Sequence, residues 1–141
     1  MKRRTIKQIA KLLDELGVVH GDSLYIAAFI PAIGIVEDGL AGLYEGVREA
    51  VGDGGTIIVP TFSASYRRNE IYDLRESPSF NGAFSEYARR LDGAVRSLDP
   101  LFSMSAIGPD AERLMERPST RCFGKGSVFE SLFSNETKFV G

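Results

Sequence analysis

Apolar positions recur at helical spacing from the start of the chain: Ile6, Ile9, Ala10, Leu12, Leu13 and Leu16, with Thr5 placed to cap the helix and Gly17 to end it. After a His20-Gly21-Asp22 turn, Ser23 to Ile30 is a nearly continuous apolar run. That is the pattern of a strand covered on both faces, the habit of parallel sheets, and Pro31 to Gly34 breaks it. The period becomes helical again over Glu37 to Val51, with Leu40, Leu43, Tyr44, Val47, Ala50 and Val51 on the buried stripe. Gly52-Asp53-Gly54-Gly55 is a turn, and Thr56-Ile57-Ile58-Val59 is a short β-branched strand stopped by Pro60. Strand, helix, strand in this order is a βαβ unit with a right-handed crossover. The fold class is therefore α/β.

Beyond Pro60 the pattern thins. Ser63 to Ser79 is polar and rich in turn residues, and reads as a long functional loop rather than a linker. Gly82 to Leu91 predicts a helix with Phe84, Tyr87, Ala88 and Leu91 inward. Arg96 to Pro100 reads as a loop and Phe102 to Ile107 as a strand. Pro109 to Arg117 opens with proline and acids, a helix beginning. Val128, Phe129, Leu132 and Phe133 predict a short helix after Gly124-Lys125-Gly126-Ser127. Phe139-Val140 begins another apolar run at the last residues, so we expect the chain to be cut inside a domain. A small complete domain with an edge strand is the alternative.

Composition narrows the function classes. The 141 residues carry 17 basic and 19 acidic side chains, a formal charge of −2. A nucleic-acid binder shows a basic excess, so no nucleic-acid partner is expected. The longest uncharged run, Ser23 to Val36, holds Pro31 and Gly34 and is too short for a membrane span, so no membrane partner is expected either. The basic amino terminus leads into an amphipathic helix, not an apolar signal core, and a cytoplasmic location is the expectation. The single cysteine, Cys122, excludes both an internal disulfide and a Cys-rich zinc site.

Several motifs are missing. Gly124-Lys125-Gly126-Ser127 lacks the first glycine of a phosphate loop, no G-x-G-x-x-G is present, and no H-E-x-x-H offers a metal site. The only histidine, His20, precedes a predicted strand and reads as a turn residue, because ligands of open α/β sheets gather at carboxyl ends. Three loops do lie at predicted carboxyl ends: 27–34, 60–63 and 96–103. Their backbone N–H groups, the hydroxyls of Thr61, Ser63, Ser97 and Ser103 and the Arg96 guanidinium are able to hold a ligand with phosphates and amides. The glycine-lysine turn before Val128 adds a helix amino terminus suited to an anion. Each loop alone also reads as ordinary turn chemistry.

The blocks Gly21-Asp22-Ser23-Leu24-Tyr25-Ile26, Ala50-Val51-Gly52-Asp53-Gly54-Gly55-Thr56-Ile57-Ile58-Val59-Pro60-Thr61-Phe62-Ser63, Gly93-Ala94-Val95-Arg96-Ser97-Leu98-Asp99-Pro100 and Phe123-Gly124-Lys125-Gly126-Ser127 follow one another in the chain. Together they resemble the aminoglycoside N3-acetyltransferase family, over nearly the whole length. The resemblance implies a three-layer α/β/α fold with a largely parallel or mixed sheet, of which residues 1–141 form the amino-terminal portion. It implies acetyl-CoA as donor and a small-molecule amine as acceptor, an aminoglycoside in the setting of antibiotic resistance or an amino sugar of a surface-glycan pathway. It places the donor against Phe29, Ile30, Gly34, Thr61, Ser63, Arg96, Ser97 and Ser103, and the acceptor near Glu70, Asp73 and Asp99.

The sequence also departs from the family. Where the family reads Val-His-Ser-Ser-Leu, this chain has Ile26-Ala27-Ala28-Phe29-Ile30, which keeps backbone donors and loses side-chain ones. The usual His-Pro is Asp99-Pro100. The family's catalytic histidine lies further along a longer chain, so the catalytic residue here is unknown. A general base contributes roughly 10²–10⁴ in rate to such a reaction, and unperturbed Asp73 or Asp99 would be a weak one. The acidic loop of Glu70, Asp73 and Glu76 attracts a polycation or is simply solvated. An inactive CoA-binding or scaffolding relative, or half of a split enzyme, are the alternatives. Self-association or a carboxy-terminal partner chain is expected from apolar surface left open.

Overall fold

The computed structural model describes residues 2–116 and 121–141. The chain begins with a two-residue strand, β1 (Arg3–Arg4), and then α1 (Ile6–Glu15). Thr5 caps α1 reciprocally with Gln8: the Thr5 hydroxyl accepts the Gln8 N–H at 3.2 Å, and the Gln8 side chain accepts the Thr5 N–H at 2.9 Å. β2 (Ser23–Ile26) follows, then a helical turn α2 (Ile30–Ile33), a short β3 (Ile35–Val36) and α3 (Gly39–Val51). β4 (Thr56–Pro60) completes the βαβ unit, with β2 and β4 parallel.

The strand expected to run to Ile30 stops at Ile26. Proline cannot donate to a sheet ladder and its fixed φ suits the first turn of a helix, so the chain leaves the sheet and winds into α2 with Pro31 at its start.

The polar stretch after β4 contains one 3₁₀ turn, Ser65–Arg68, before α4 (Ala83–Arg89). β5 (Val95–Arg96) and β6 (Met104–Ile107) form a hairpin, followed by α5 (Ala111–Met115), α6 (Val128–Ser134) and β7 (Lys138–Val140). The helix expected over Pro109 to Arg117 thus forms over its middle, and Arg117 lies outside the described residues. The main sheet has the order β5-β6-β4-β2-β7, with β1 and β3 pairing separately. β4 and β7 are parallel to β2, whereas β6 is antiparallel to both β4 and β5, so the sheet is mixed.

Alternation along β4 divides the core. Ile57 and Val59 face α1, α3 and α4, packing with Ile9, Leu13, Leu43, Val47 and Phe84. Ile58 faces the other layer, with Met104, Leu114, Met115 and Leu132. Helices therefore cover both faces, the three-layer arrangement. β7 is fastened by Lys138, whose ammonium meets Asp22 at 2.6 Å and donates to the Gly17 carbonyl at 2.7 Å. Burial would raise the pKa of Asp22, but the Lys138 hydrogen bond and the Val19 N–H outweigh it and hold the carboxyl below its ordinary value. Among the described residues no helix is long and apolar enough to cross a membrane.

Candidate active site

The topology brings the carboxyl ends of four strands to one side. β2, β4 and β7 are parallel, so Ile26, Pro60 and Val140 end together. β5 is antiparallel to β6 and β6 to β4, so Arg96 ends there too, and residues 97–103 return the chain to Met104 beside Pro60. The three loops read from the sequence thus meet where α/β sheets gather ligands.

At the ends of β2 and β4 lies a cleft of about 570 Å³, which residues 96–103 do not line. Residues 27–31 form one wall, residues 80–83 the other, and Pro60 the floor. Phe29 is exposed and Ile30 half-buried on the first wall. The second wall is tied to the extension of β4: Phe80 N–H donates to the Phe62 carbonyl at 2.9 Å, and Phe62 N–H donates to Asn81 Oδ1 at 2.7 Å. Among the described residues the N–H groups of Ala28, Phe29 and Gly82, all residues that line the cleft, meet no protein acceptor. Phe80, Asn81 and Ala83 were not read from the sequence. Asn81-Gly82 before a helix is their only local signal, and it marks a turn.

The other residues expected at the donor sit behind the cleft. Thr61, Ser97 and Ser103 have no exposed surface, and Ser63 and Arg96 are buried. Their polar groups find partners within the protein: Ser103 Oγ donates to the Thr61 carbonyl at 2.5 Å, Ser63 Oγ to the Pro100 carbonyl at 2.8 Å, and Ser97 Oγ accepts the Met104 N–H at 3.0 Å. Gly34 is outside the cleft altogether. It ends α2 at φ 93°, and a Cβ there would stand 2.5 Å from the Lys2 carbonyl oxygen, so glycine lets β1 lie beside β3.

The acidic candidates divide. Glu70 is exposed. Asp73 is exposed, and its Oδ1 accepts the N–H groups of Glu76 and Arg75, both at 2.8 Å; these bonds hold its pKa below the ordinary value and make it a poorer base. Asp99 is buried, accepting the Leu101 N–H at 3.0 Å and facing Cys122 Sγ at 3.5 Å. Burial first, and then Asp99, push the Cys122 thiol up, which disfavours its thiolate. His20 lies before β2, at the opposite end of the sheet, beside Gly52. At the turn of residues 124–127, Glu130 Oε2 accepts the Gly126 N–H at 2.7 Å and Ser127 Oγ accepts the Glu130 N–H at 3.2 Å, so these two donors are taken up within the protein. No group of three or more metal-ligating side chains occurs among the described residues.

A larger cavity of about 890 Å³ opens along β5, lined among others by Arg75, Arg90, Asp92 and Glu116. It touches neither β2 nor β4. The smaller cleft, where parallel strand ends and free N–H groups coincide, is the better candidate.

Comparison with known proteins identifies the fold and the family. The chain is 35% identical over 117 residues to aminoglycoside N(3)-acetyltransferase IV of Salmonella sp, an alignment covering 82% of this chain and 43% of that enzyme. The crystal structure of aminoglycoside acetyltransferase AAC(3)-IIb superposes with a TM-score of 0.88 at 28% identity, over 99% of this chain and 58% of that one. A binary complex of AAC-IIIb with CoASH has the same fold, with a TM-score of 0.84 at 24% identity over 94% of this chain and 57% of that one. The chain thus spans about half the length of the relatives it matches. The family model for aminoglycoside 3-N-acetyltransferase matches residues 27–141, and the chain belongs to that family.

Proposed function

We propose that residues 1–141 supply the donor-binding part of an acetyl-CoA-dependent N-acetyltransferase acting on an amino group of an aminoglycoside or related amino sugar. The observation that carries this reading is the cleft at the ends of β2 and β4. Its apolar walls suit the alkyl segments of a pantetheine arm, and its free N–H groups suit the amide and thioester oxygens. When bound, acetyl-CoA supplies the activated acyl group. Phe29 and Ile30 pack against the arm, while Thr61, Ser63, Ser97 and Ser103 keep the strand ends in register behind it.

The acceptor must lose a proton before it attacks, and a base of near-neutral pKa does this best. Asp73 is depressed and capped by its own turn, Asp99 is buried, and His20 is at the wrong end. We therefore expect the chain to bind acetyl-CoA and to acetylate amines poorly. Calorimetric titration with acetyl-CoA, with thiol release followed on an amine, checks both. A folded chain that binds no donor defeats the proposal, and robust turnover defeats the assignment of the base elsewhere.

Ala28 lines the cleft wall, at a position where the resemblance implies a serine in the family. Ala28→Ser is expected to tighten acetyl-CoA binding roughly fivefold, the worth of about one net hydrogen bond. An unchanged or weakened affinity in the same titration would place the donor away from this wall.

Self-association is a second expectation. β7 is an edge of the sheet among the described residues, and its Phe139 ring meets the exposed Phe133 ring at 6.0 Å between centroids. Such an edge recruits a further strand. Sedimentation velocity should find a concentration-dependent increase in mass; a strict monomer at high concentration counts against it.

A further inference from the structure

Arg96 turns its side chain inward from the end of β5, and only 8% of the residue is exposed. A buried guanidinium ordinarily sits against a carboxylate, because removing its charge from water is costly. Arg96 forms no ion pair among the described residues. Its donors go to backbone carbonyls and one hydroxyl instead. Nη2 donates to Thr61 O at 2.6 Å, Nη1 to Ser77 O and, at 3.5 Å, to Leu74 O, and Nε to Ser103 Oγ at 3.4 Å. The Tyr72 ring covers the guanidinium at 5.0 Å, and the Tyr72 hydroxyl donates to the Ser97 carbonyl at 2.9 Å.

Those carbonyls belong to two segments that lead into the cleft without lining it. Thr61 continues β4 beyond the Pro60 floor. Leu74 and Ser77 lie in the turn capped by Asp73, and the chain runs from Ser77 directly into the 80–83 wall. Arg96, which itself borders the larger cavity along β5, therefore joins the segment that follows the Pro60 floor to the segment that precedes the 80–83 wall. Only a planar fork with five N–H donors reaches carbonyls from both segments while stacking on a ring.

We propose that Arg96 is a positioning residue for the cleft: by clamping Thr61 to Ser77 it sets the separation of the 80–83 wall from the Pro60 floor, and so the affinity for the donor, without touching the donor. The effect on affinity rests on the reading of the cleft as the acetyl-CoA site; the clamp itself does not. Lysine at this position keeps the charge but offers a single nitrogen, which cannot span the two segments.

Hydrogen exchange and calorimetry on the 141-residue chain test the two parts separately. In Arg96→Lys the amides of Phe62 and Phe80 should exchange roughly tenfold faster while those of Ile57 to Val59 keep the wild-type rate, and the Kd for acetyl-CoA should rise roughly tenfold. A merely structural arginine would speed exchange across β4 as well, and that result overturns the proposal. Unchanged exchange at Phe62 and Phe80 also overturns it. If Arg96→Lys does not fold, Tyr72→Leu removes the ring stacked on the guanidinium and should give the same local exchange change at smaller size; its absence there is equally fatal. Wild-type chain that binds no acetyl-CoA overturns the donor reading, and a local exchange change with an unaltered Kd overturns the link between clamp and affinity.

Discussion

Glu86→Gln is expected to destabilise the chain by about 3 kcal/mol at neutral pH, because it removes the carboxylate from a buried arginine. The Glu86 carboxylate accepts Arg89 Nε at 2.6 Å and Arg89 Nη2 at 2.7 Å, the Ser79 N–H at 2.9 Å and Arg90 Nε at 2.7 Å. The Arg89 side chain is only 2% exposed, so it has no water to fall back on. Burial raises the Glu86 pKa, but the Arg89 hydrogen bonds, the Ser79 N–H, the Arg89 charge and the Arg90 hydrogen bond outweigh it and bring it from 4.5 to about 2. A depressed carboxyl stabilises the fold fully above its unfolded pKa and ceases to do so as pH falls through the folded one. The contribution, on the order of 3 kcal/mol, is therefore complete above pH 4.5 and fades toward about pH 2. Urea denaturation at neutral pH and near pH 3 measures it. The wild type should lose stability between the two conditions and Glu86→Gln much less; parallel losses would show that this carboxylate is not the group responsible. Ser79 begins the approach to the 80–83 wall, so the variant should also weaken acetyl-CoA binding.

The βαβ unit was legible because its signals are long and mutually consistent: an apolar run, a full helical stripe and a β-branched run between turn residues. The overrun of β2 shows the limit of that reading. Ala27 to Ile30 are apolar because they wall a cleft, and hydropathy cannot distinguish a cleft wall from a strand covered on both faces. β1, β3 and β5 have two residues each, too few for an alternation to register, so the antiparallel β5-β6 hairpin read as loop and strand. Phe29 and Ile30, expected in the segment around the end of β2, line the cleft although the strand itself stops at Ile26. Thr61, Ser97, Ser103 and Arg96 were chosen for their polar groups, but a sequence does not reveal whether a hydroxyl or guanidinium is turned to a ligand or to a neighbouring carbonyl. Here the acceptors are the carbonyls of Pro100, Ser77 and Thr61, distant in sequence from the groups that donate to them, while Ser97 Oγ takes the Met104 N–H. The wall at residues 80–83 was invisible because it is made by a tertiary contact, Phe62 to Asn81, with no local pattern.

Glycines escape hydropathy in the same way, and Gly46 carries the second large effect. The helical stripe of α3 read from apolar residues omits Gly42 and Gly46, although both are buried. A Cβ on Gly46 would stand 2.6 Å from Ile9 Cβ, 2.8 Å from Ile9 Cγ2 and 3.0 Å from the Ile6 carbonyl oxygen. The glycine is thus what lets α1 lie directly on α3, at an intrinsic helix cost of about 1 kcal/mol relative to alanine. Gly46→Ala recovers that propensity and then displaces α1, an overpacking penalty of about 1–3 kcal/mol, so a net loss near 1 kcal/mol is expected. Gly46→Val adds two more methyl groups at the same contact with no propensity gain comparable to alanine's. Its expected loss is about 3 kcal/mol or more, because Ile9, Ala10 and Leu13 must leave the layer that covers Leu24 and Ile57. Urea denaturation should rank wild type above Gly46→Ala and Gly46→Val last, with the α1 amides of the valine variant losing exchange protection before those of β4. Equal stability of the valine variant and the wild type would mean that α1 is not held by this close approach, and the packing of the whole first layer would need another explanation.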